Sequence, residues 1–331
     1  MQTCVTSPPY FGLRDYGVQG QIGLESTPDE FIRSVVYIFR EVHRVLRDDG
    51  TLWLNLGDSY SGSGKGAYAD GIVRLSDRSK KQTTSNGTHQ GMFKKAETGL
   101  KPKDLIGIPW RVALALQADG WYLRQDIIWH KPNPMPESVT DRCTKAHEYI
   151  FLLSKSERYF FDHKAIQEPS VTNDIRRPYG SQGGWQLDGR PINQRPNGRP
   201  RKGFDKKQGG GGTSFDGHSG SYKADGSPIG VPGMRNKRSV WTVTTKPYKV
   251  AHFATFPPDL VKPCILAGAP RDSLVLDPFL GSGTTAAVAK ELKRSYVGIE
   301  LNPAYVELAL QRLGQLKSAN QQGDEGLSLA G

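Results

Sequence analysis

Cysteine is scarce in this chain. Only Cys4, Cys143 and Cys264 occur among its 331 residues, far apart and in no Cys-x-x-Cys spacing. An odd number of scattered cysteines argues against a disulfide framework and against a zinc site, and it fits a reducing compartment. We therefore expect a cytoplasmic protein that binds no metal.

Long apolar runs are missing as well. No hydrophobic stretch approaches the roughly 18 residues that a membrane span requires, and the N-terminus lacks the charged and then apolar segments of a signal peptide. The hydrophobic fraction is only 36%, while glycine is abundant at 38 residues. We expect no membrane partner, and a chain that forms one large domain or two ordinary ones with a good share of loop.

Acidic residues are too few to balance the basic ones, so the net charge is +11. Roughly +10 of that charge falls within residues 164–249, where about 16 basic residues stand against about 6 acidic ones. A surface that only needs to be soluble would spread its charge, whereas this clustering favours a polyanionic partner such as nucleic acid.

The basic stretch offers many candidate phosphate contacts. They are Arg176, Arg177, Arg190, Arg195, Arg199, Arg201, Lys202, Lys206, Lys207, Arg235, Lys237 and Arg238. Aromatic residues are interleaved with them and either pack locally or touch bases: Trp185, Phe204, Phe215, Tyr222 and Trp241. We predict that this stretch is an irregular insert that contacts DNA.

Segments typical of strands and of amphipathic helices alternate on both sides of the basic stretch. The patterns predict strands over 3–6, 51–56, 123–129, 149–153, 273–277 and 296–300, and helices over 30–46, 109–120, 257–267, 284–292 and 303–313. Such alternation is typical of an α/β fold, a Rossmann-like and mostly parallel sheet with helices on both faces. Residues 61–103 lack periodicity and are interpreted as a mobile basic loop.

A strand, a glycine turn and a helix follow one another near the C-terminal end. The predicted strand ends at Asp277, the turn holds Gly281 and Gly283, and Glu300 ends the next predicted strand. Glycines let a backbone approach a ligand closely, and a carboxylate roughly 20 residues on is placed to hold ribose hydroxyls. Ala286 stands where a dinucleotide site would need a third glycine. The alternative is a purely structural turn with a solvated Glu300.

Ser7-Pro8-Pro9-Tyr10 follows the first predicted strand. Two prolines lock the backbone there and remove two N–H donors, so carbonyl groups remain as acceptors. The Pro8 carbonyl and the Ser7 hydroxyl could accept hydrogen bonds from an exocyclic amine, and the Tyr10 ring offers a stacking face for an extracted base. The alternative is a Pro-Pro turn closed by a packed tyrosine.

These two motifs together resemble those of the DNA amino-methyltransferases, which make N6-methyladenine or N4-methylcytosine. Further matching segments are 52–58, 128–133, 147–151 and 252–257. Because the amine motif comes first and the cofactor motif last, the chain is similar to the circularly permuted beta group of that family. The similarity covers residues 1–162 and 250–313, with the basic stretch in the position of target recognition.

The resemblance implies a site-specific enzyme that moves a methyl group from S-adenosylmethionine (SAM) to the exocyclic amine of a base flipped out of double-stranded DNA. SAM would be bound by Asp277, Phe279, Gly281, Gly283, Thr284 and Glu300, with His252, Phe256 and Pro257 closing over it. Ser7, Pro8, Pro9 and Tyr10 would hold the base. Such an enzyme belongs in a prokaryotic or phage-infected cell, and the resemblance allows a homodimer.

The resemblance also implies a division of the chain. Residues 1–162 would form the catalytic half of a SAM-dependent methyltransferase domain and 250–315 the SAM-binding half. Residues 163–249 would form the target-recognition region, and 316–331 a polar tail. Members of this group normally have a strand and a helix before the catalytic strand, whereas Met1 falls almost inside it. We therefore expect a missing sheet strand and weakened SAM binding.

Other functions remain open on the sequence alone. The chain could methylate RNA or a protein glutamine, although glutamine enzymes prefer Asn before Pro-Pro-Tyr and place the SAM loop first. It could also be a catalytically impaired DNA-binding protein on a methyltransferase scaffold. Ser7 leans toward cytosine N4, whereas Asp at that position would lean toward adenine N6, and both bases stay open.

Three further segments can each be interpreted either as functional or as purely structural. Pro263-Cys264 is similar to the nucleophile motif of cytosine-C5 methyltransferases, but the surrounding apolar helix favours a packed core thiol. His147-Glu148 lacks the second histidine of a zinc protease, so we interpret the pair as pocket-support or strand-edge residues. Asp58 either touches the cofactor or caps a loop.

Overall fold

The computed structural model of the chain describes residues 1–62, 97–169, 234–245 and 257–314, and the backbone alone at 72–73 and 93–94. These residues fall into two compact units. One is formed by Met1–Ile166 with Arg238–Gly331 and the other by Gln167–Lys237. The site described below lies within the first unit.

Eleven strands occur in the described residues. They are β1 (Thr3–Thr6), β2 (Thr51–Leu56), β3 (Ile72–Val73), β4 (Phe93–Lys94), β5 (Tyr122–His130), β6 (His147–Ser154), β7 (Glu168–Pro169), β8 (Met234–Arg235), β9 (Val240–Thr242), β10 (Leu274–Asp277) and β11 (Ser295–Gly298). The α-helices there are α1 (Pro28–Val45), α2 (Ile108–Ala118), α3 (Pro258–Gly268), α4 (Thr284–Glu291) and α5 (Pro303–Arg312), and Lys164–Ile166 forms a 3₁₀ turn.

Helix α1 shows how local sequence sets an element. Thr27 is its N-cap, and a capping box joins the Thr27 and Glu30 side chains to each other's backbone N–H groups. Phe31, Val35 and Phe39 recur at one-turn spacing and are fully buried. The cap and the apolar stripe together fix where α1 starts and which face meets the sheet.

Seven strands form one sheet in the order β11-β10-β1-β2-β6-β5-β9. All neighbouring pairs are parallel except β2–β6 and β5–β6, so β6 alone runs against the others. The predicted Rossmann-like, mostly parallel sheet is therefore confirmed. The chain leaves β1 through α1 toward β2, and it leaves β10 through α4 toward β11 on the opposite side. The boundary between β1 and β10 is thus a topological switch point, where open α/β sheets bind ligands.

Two apolar cores cover the faces of this sheet. Alternate residues of a strand serve opposite faces: Cys4 packs in the core that holds α1 and α2, and Val5 packs in the core that holds α3 and α4. On β2, Leu52 and Trp53 divide in the same way. Because helices cover both faces, the central strands β1, β2 and β10 are buried along nearly their whole length.

Some predictions from the sequence need correction. The strand predicted over 296–300 spans Ser295–Gly298. Ile299, just beyond it, still bonds the Asp277 carbonyl through its N–H, but its own carbonyl accepts from Leu280 in the cofactor loop, past the end of β10. The stretch 61–103, interpreted as irregular, contains β3 and β4 paired antiparallel. Strand β9 was not predicted and extends the sheet beside β5, from a segment interpreted as part of the recognition region. Trp241 on β9 is buried against Trp53, so it packs locally.

Strand β11 is the last strand of the sheet on its side within the described residues. It pairs only with β10 there, and Val297 and Ile299 are exposed.

Candidate functional site

The two motifs from opposite ends of the chain meet at one edge of the sheet. β1 and β10 are parallel neighbours, with Thr3 opposite Val275 and Cys4 opposite Leu276. Their C-terminal ends are joined by a hydrogen bond from the Thr6 Oγ1 hydroxyl to Asp277 Oδ1, at 2.6 Å. The amine motif begins one residue after Thr6 and the cofactor loop begins at Asp277. The two therefore leave the sheet side by side at the switch point.

A hydrogen-bond network surrounds the amine motif. The Ser7 hydroxyl donates to Asn55 Oδ1 at 3.1 Å. The Tyr10 hydroxyl donates to Glu148 Oε2 at 2.6 Å, with Asn55 Oδ1 as a second acceptor at 3.0 Å. Asn55 lies on β2 and Glu148 on β6, the next two strands after β1 in the sheet. The motif is thus tied down by two strands far away in sequence.

The ring of Tyr10 is fixed as firmly as its hydroxyl. A Cβ atom added to Gly57 would lie within 3.2 Å of three atoms of the ring, so only glycine leaves room for it at the end of β2. Burial, reinforced by the charge of Glu148, raises the pKa of Tyr10 well above its ordinary value. The phenol therefore remains a neutral hydrogen-bond donor.

The cofactor loop turns through two left-handed glycines. Gly281 has φ +53° and Gly283 has φ +80°, a region that L-residues with a side chain adopt at a cost. A Cβ atom at Gly281 would meet no heavy atom nearer than 4.0 Å, so space is open beside that backbone. At Gly283 a Cβ atom would press on Ala309 of α5 at 3.0 Å, so this glycine serves helix packing.

The carboxyl group of Asp277 is almost completely buried. Its Oδ1 accepts from Thr6 Oγ1 and from the Phe279 N–H, whereas its Oδ2 has no partner among the described residues. Burial raises the pKa of Asp277 to about 6, against the opposing effects of the Thr6 hydroxyl, the Thr285 hydroxyl and the Phe279 N–H. An unpartnered carboxylate oxygen at the switch point is a costly feature that a cationic ligand would relieve.

Glu300 is folded back onto the glycine turn. Its Oε2 accepts the Gly281 N–H at 2.7 Å, and its Oε1 accepts the Asn302 N–H at 2.8 Å. Each carboxylate oxygen retains a lone-pair direction beyond these bonds. The predicted ribose-binding carboxylate thus stands beside the loop that would hold the same ligand.

Of the other residues predicted to hold SAM, three lie in the part of the chain that the structure describes. Phe279 is half-buried and packs near Phe39, and Thr284 is buried at the start of α4 with its hydroxyl accepting from Arg312. Pro257 is buried at the N-cap of α3. The predictions for His252 and Phe256 fall outside the described residues.

The carboxylates and the open backbone at this edge fit SAM. SAM carries a positive sulfonium, an α-ammonium and a ribose diol. The negative charge of Asp277, whose Oδ2 has no hydrogen-bond partner among the described residues, would offset the positive charge of SAM. Glu300 supplies acceptors for the ribose hydroxyls. The open space at Gly281 admits a ligand against the backbone.

Three of the predicted phosphate contacts lie in the described residues. Within the Gln167–Lys237 unit, Arg235 bonds Glu168 at 3.0 Å and Lys237 lies 3.9 Å from the same carboxylate. The carbonyl of Arg238, in the other unit, accepts from the Trp241 ring N–H. The predictions for Arg176, Arg177, Arg190, Arg195, Arg199, Arg201, Lys202, Lys206 and Lys207 fall outside the described residues.

The structure describes the surroundings of three residues for which the sequence left alternatives. Asp58 Oδ1 accepts from the Gly107 and Ile108 N–H groups and so caps the start of α2. Cys264 is buried and bonds the Leu260 carbonyl one turn earlier, which confirms a packed core thiol. Glu148 supports the pocket through its bond to Tyr10.

Two residues of the site were missed on the sequence. Asn55 and Lys131 were included only as members of matching segments, with no role of their own. Lys131 pairs with Glu148 and lies over the Trp129 ring at 4.3 Å. A polar residue inside the apolar run Leu52–Leu56 was the available signal for Asn55, because a buried amide needs specific partners.

Within the part of the chain that the structure describes, no cluster of His, Cys, Asp or Glu is arranged to hold a metal ion. No helix in that part is both long and apolar enough to cross a membrane.

Comparison with known proteins gives a consistent result. A family model described as DNA methylase matches residues 1–311. The chain is 46% identical over 311 residues to the Type II methyltransferase M.XycI of Xanthomonas campestris pv. cyanopsidis, covering 93% of this chain and 80% of that protein. It is 45% identical to M.Cfr9I of Citrobacter freundii with the same coverage, and 43% identical to M.SmaI of Serratia marcescens, covering 93% of this chain and 82% of the relative.

Solved structures resemble the fold. The PvuII DNA methyltransferase, cytosine-N4-specific, superposes with a TM-score of 0.54 at 16% identity, covering 97% of this chain and 82% of that one. A putative DNA modification methylase of Thermus thermophilus, solved in complex with S-adenosyl-L-methionine, gives 0.51 at 18% identity, covering 95% and 85%. At such low identity these likenesses concern the fold.

Proposed function

Because the chain belongs to the DNA methylase family and is a SAM-dependent DNA methyltransferase, we propose that it methylates the exocyclic amine of a cytosine or adenine flipped out of duplex DNA. The observation that carries this proposal is the junction of the two motifs. Thr6 bonds Asp277 at the sheet edge, so the residues that would hold the amine and those that would hold SAM open into the same region.

The amine motif orients the nucleotide in this proposal. The Ser7 hydroxyl and the Pro8 carbonyl accept the two N–H groups of the amine, which directs the nitrogen lone pair away from them. The Tyr10 ring, held by Gly57 and Glu148, stacks on the base. Placement of this kind contributes about 7–11 kcal/mol where the reacting atoms are well aligned.

SAM, when bound, supplies a methyl group activated by its sulfonium. With that methyl group in place, the Ser7 hydroxyl and the Pro8 carbonyl would direct the amine nitrogen toward it, and the nitrogen would lose one proton to solvent as the methyl group leaves the sulfur with the electron pair of its bond. We propose that the SAM site is made of Asp277, Phe279, Gly281, Gly283, Thr284, Glu300, His252, Phe256 and Pro257. The unpartnered Asp277 Oδ2 supports this assignment.

DNA is the partner that the family implies, and we propose that the basic region 163–249 contacts it. Its charge, roughly +10 over that stretch, supports this assignment. We keep the homodimer and the cytoplasmic location as predictions. Light scattering of the purified protein would test the first, and fractionation of the host cell the second.

The proposed function is tested by methyl transfer from tritiated SAM to duplex DNA, RNA and protein in parallel. Label in DNA is expected, and digestion to nucleosides followed by mass analysis is expected to give N4-methylcytosine or N6-methyladenine. Label only in RNA or protein, or a 5-methylcytosine product, would overturn the proposal. DNA binding without transfer to any of them would favour a binding-only protein.

Substitution of Tyr10 tests the pocket itself. Tyr10→Ala removes the stacking face, and base–aromatic stacking is worth about 1–3 kcal/mol, so we expect methylation to fall roughly 5- to 150-fold. Binding of the product S-adenosylhomocysteine, measured by calorimetry, should change less than twofold. Tyr10→Phe is the matched control, because it keeps the ring. An unchanged methylation rate in Tyr10→Ala would contradict the assignment of this pocket.

A further inference from the structure

Asn55 is a buried amide at the centre of the sheet, 2% exposed, directly beneath the amine motif. Its Nδ2 donates to the Tyr149 carbonyl at 3.0 Å and to Glu148 Oε2 at 3.3 Å. Its Oδ1 faces the Ser7 and Tyr10 hydroxyls. Every polar atom of this side chain is therefore engaged.

The surroundings of Asn55 permit only one orientation of its amide. A backbone carbonyl can accept hydrogen bonds but cannot donate them, so the Asn55 atom beside the Tyr149 carbonyl must be the NH₂ group. Glu148 adds a second acceptor on that side and is itself paired with Lys131. The amide oxygen is consequently turned toward Ser7.

The hydroxyl of Ser7 has one hydrogen, and its direction decides what the oxygen can do. The Asn55 oxygen, 3.1 Å away, can only accept, so the hydrogen points to it. Tyr10 lies farther from Ser7, at 3.5 Å, and gives its own hydrogen to Glu148 at 2.6 Å. The lone pairs of Ser7 Oγ are left free on the side away from Asn55.

We propose that Asn55 is a positioning residue that turns the Ser7 hydroxyl into a hydrogen-bond acceptor for the amine of the target base, with Glu148 and the Tyr149 carbonyl holding Asn55 in place. The inference rests on the proposed function of the amine motif. Without the amide oxygen, the Ser7 hydrogen could rotate toward the incoming amine and present a donor to it. Asn55 would then act on the reaction only through Ser7.

A double-mutant cycle of Asn55→Ala and Ser7→Ala tests this dependence. Removal of one positioned donor or acceptor in an active site costs about 10²–10³ in kcat in a well-studied case, and for these variants we expect kcat to fall about 10- to 100-fold each. The double variant should be no slower than the slower of the two single variants. KM for DNA should change less than threefold throughout. Losses that multiply would overturn the proposal, because Asn55 would then act independently of Ser7.

Two comparisons separate positioning from general support. Thr27→Ala, at the cap of α1, is the distant control. Its fold-change in kcat should multiply with that of Asn55→Ala, as expected for two independent sites. The coupling of Asn55→Ala to Tyr10→Phe should be weaker than its coupling to Ser7→Ala, because Tyr10 gives its hydrogen to Glu148 at 2.6 Å and only shares Asn55 Oδ1 at 3.0 Å. Coupling of Asn55 to Tyr10 but not to Ser7 would overturn the proposal.

Folding is monitored by thermal melting and by calorimetric binding of S-adenosylhomocysteine. If Asn55→Ala does not fold, Asn55→Leu refills the volume and takes its place in the cycle. Failure of the proposed function is distinguishable, because the wild-type protein would then methylate no DNA. An active wild type with independent losses refutes the role of Asn55 alone.

Discussion

Asp277 is the residue whose environment most clearly departs from the ordinary. Its carboxyl group is buried beside Thr6, one oxygen lacks a partner among the described residues, and its pKa rises from 3.8 to about 6. The folded chain thus holds this proton more tightly than the unfolded chain does. Stability that is present below pH 3.8 is lost as the pH rises through about 6, by about 3 kcal/mol.

Substitution of Asp277 should therefore raise stability while weakening cofactor binding. Asn cannot ionise, so the free energy of unfolding of Asp277→Asn, relative to the wild type, should increase between pH 5 and pH 8. Urea unfolding at the two pH values measures this difference, and calorimetry with S-adenosylhomocysteine at pH 8 should show binding at least tenfold weaker. A pH-independent difference would show that the carboxyl group titrates alike in both states.

Gly281 should tolerate no branched side chain. Its φ of +53° is strained for valine, and the side chain would enter the open space beside the loop. We expect Gly281→Val to abolish detectable binding of S-adenosylhomocysteine, whereas Gly12→Val, at a left-handed glycine that is equally open, should retain it. Retained affinity in Gly281→Val would move the cofactor elsewhere.

Helix α2 is capped at its start by a residue that lies outside the helix in sequence. Its N-cap, Gly107, has no side chain to offer, and Asp58 from the end of β2 accepts the Gly107 and Ile108 N–H groups instead. The negative charge also faces the positive end of the helix dipole. A residue just past the end of β2 thus anchors the start of α2.

Asp58→Ala should cost about 1–2 kcal/mol of unfolding free energy, the usual penalty for losing an N-cap. Asp58→Asn keeps an acceptor oxygen and should cost less than half as much. Both are measured by urea unfolding at pH 7. Equal losses for the two variants would mean that the charge, and not the hydrogen bonds, provides the stabilisation.

Elements with strong local patterns were predictable. α1 was predicted from its apolar stripe to within two residues at its start, because that signal is local. β9 was missed because Val240–Thr242 is short and lies in a basic, glycine-rich stretch. Its strand conformation depends on β5, more than a hundred residues earlier.

At the scale of the whole molecule, charge is concentrated where the sequence predicts the DNA contact. Neutralising one phosphate contact lowers the slope of log affinity against log salt by about 1. Arg201→Gln with Lys202→Gln should therefore lower that slope by about 2. DNA affinity measured between about 50 and 200 mM salt tests this, and an unaltered slope would mean that these side chains do not meet phosphate.

A matched pair of charge losses provides the control. Arg40 and Lys262 are exposed side chains of the unit that contains the proposed active site, and they pair with Asp119 and Glu291. Arg40→Gln with Lys262→Gln removes the same charge, and the slope should change by less than about 0.5. A loss of slope equal to that of the Arg201 and Lys202 variant would indicate a general effect of net charge.

The sequence by itself determined the fold class and the two motifs, because both rest on local patterns: strand and helix periodicity, glycines in a turn, and prolines after a strand. It also indicated their order, and hence the permuted arrangement. Neither required knowledge of which residues touch.

Only the tertiary structure decided how the amine motif is held. Asn55 and Glu148 are 93 positions apart, and each lies far from Tyr10 in the chain. Their meeting depends on β2 pairing with an antiparallel β6, a register that local sequence does not encode. The hydrogen-bond direction at Ser7 follows from that register, because the strand pairing brings the Tyr149 carbonyl next to the Asn55 amide.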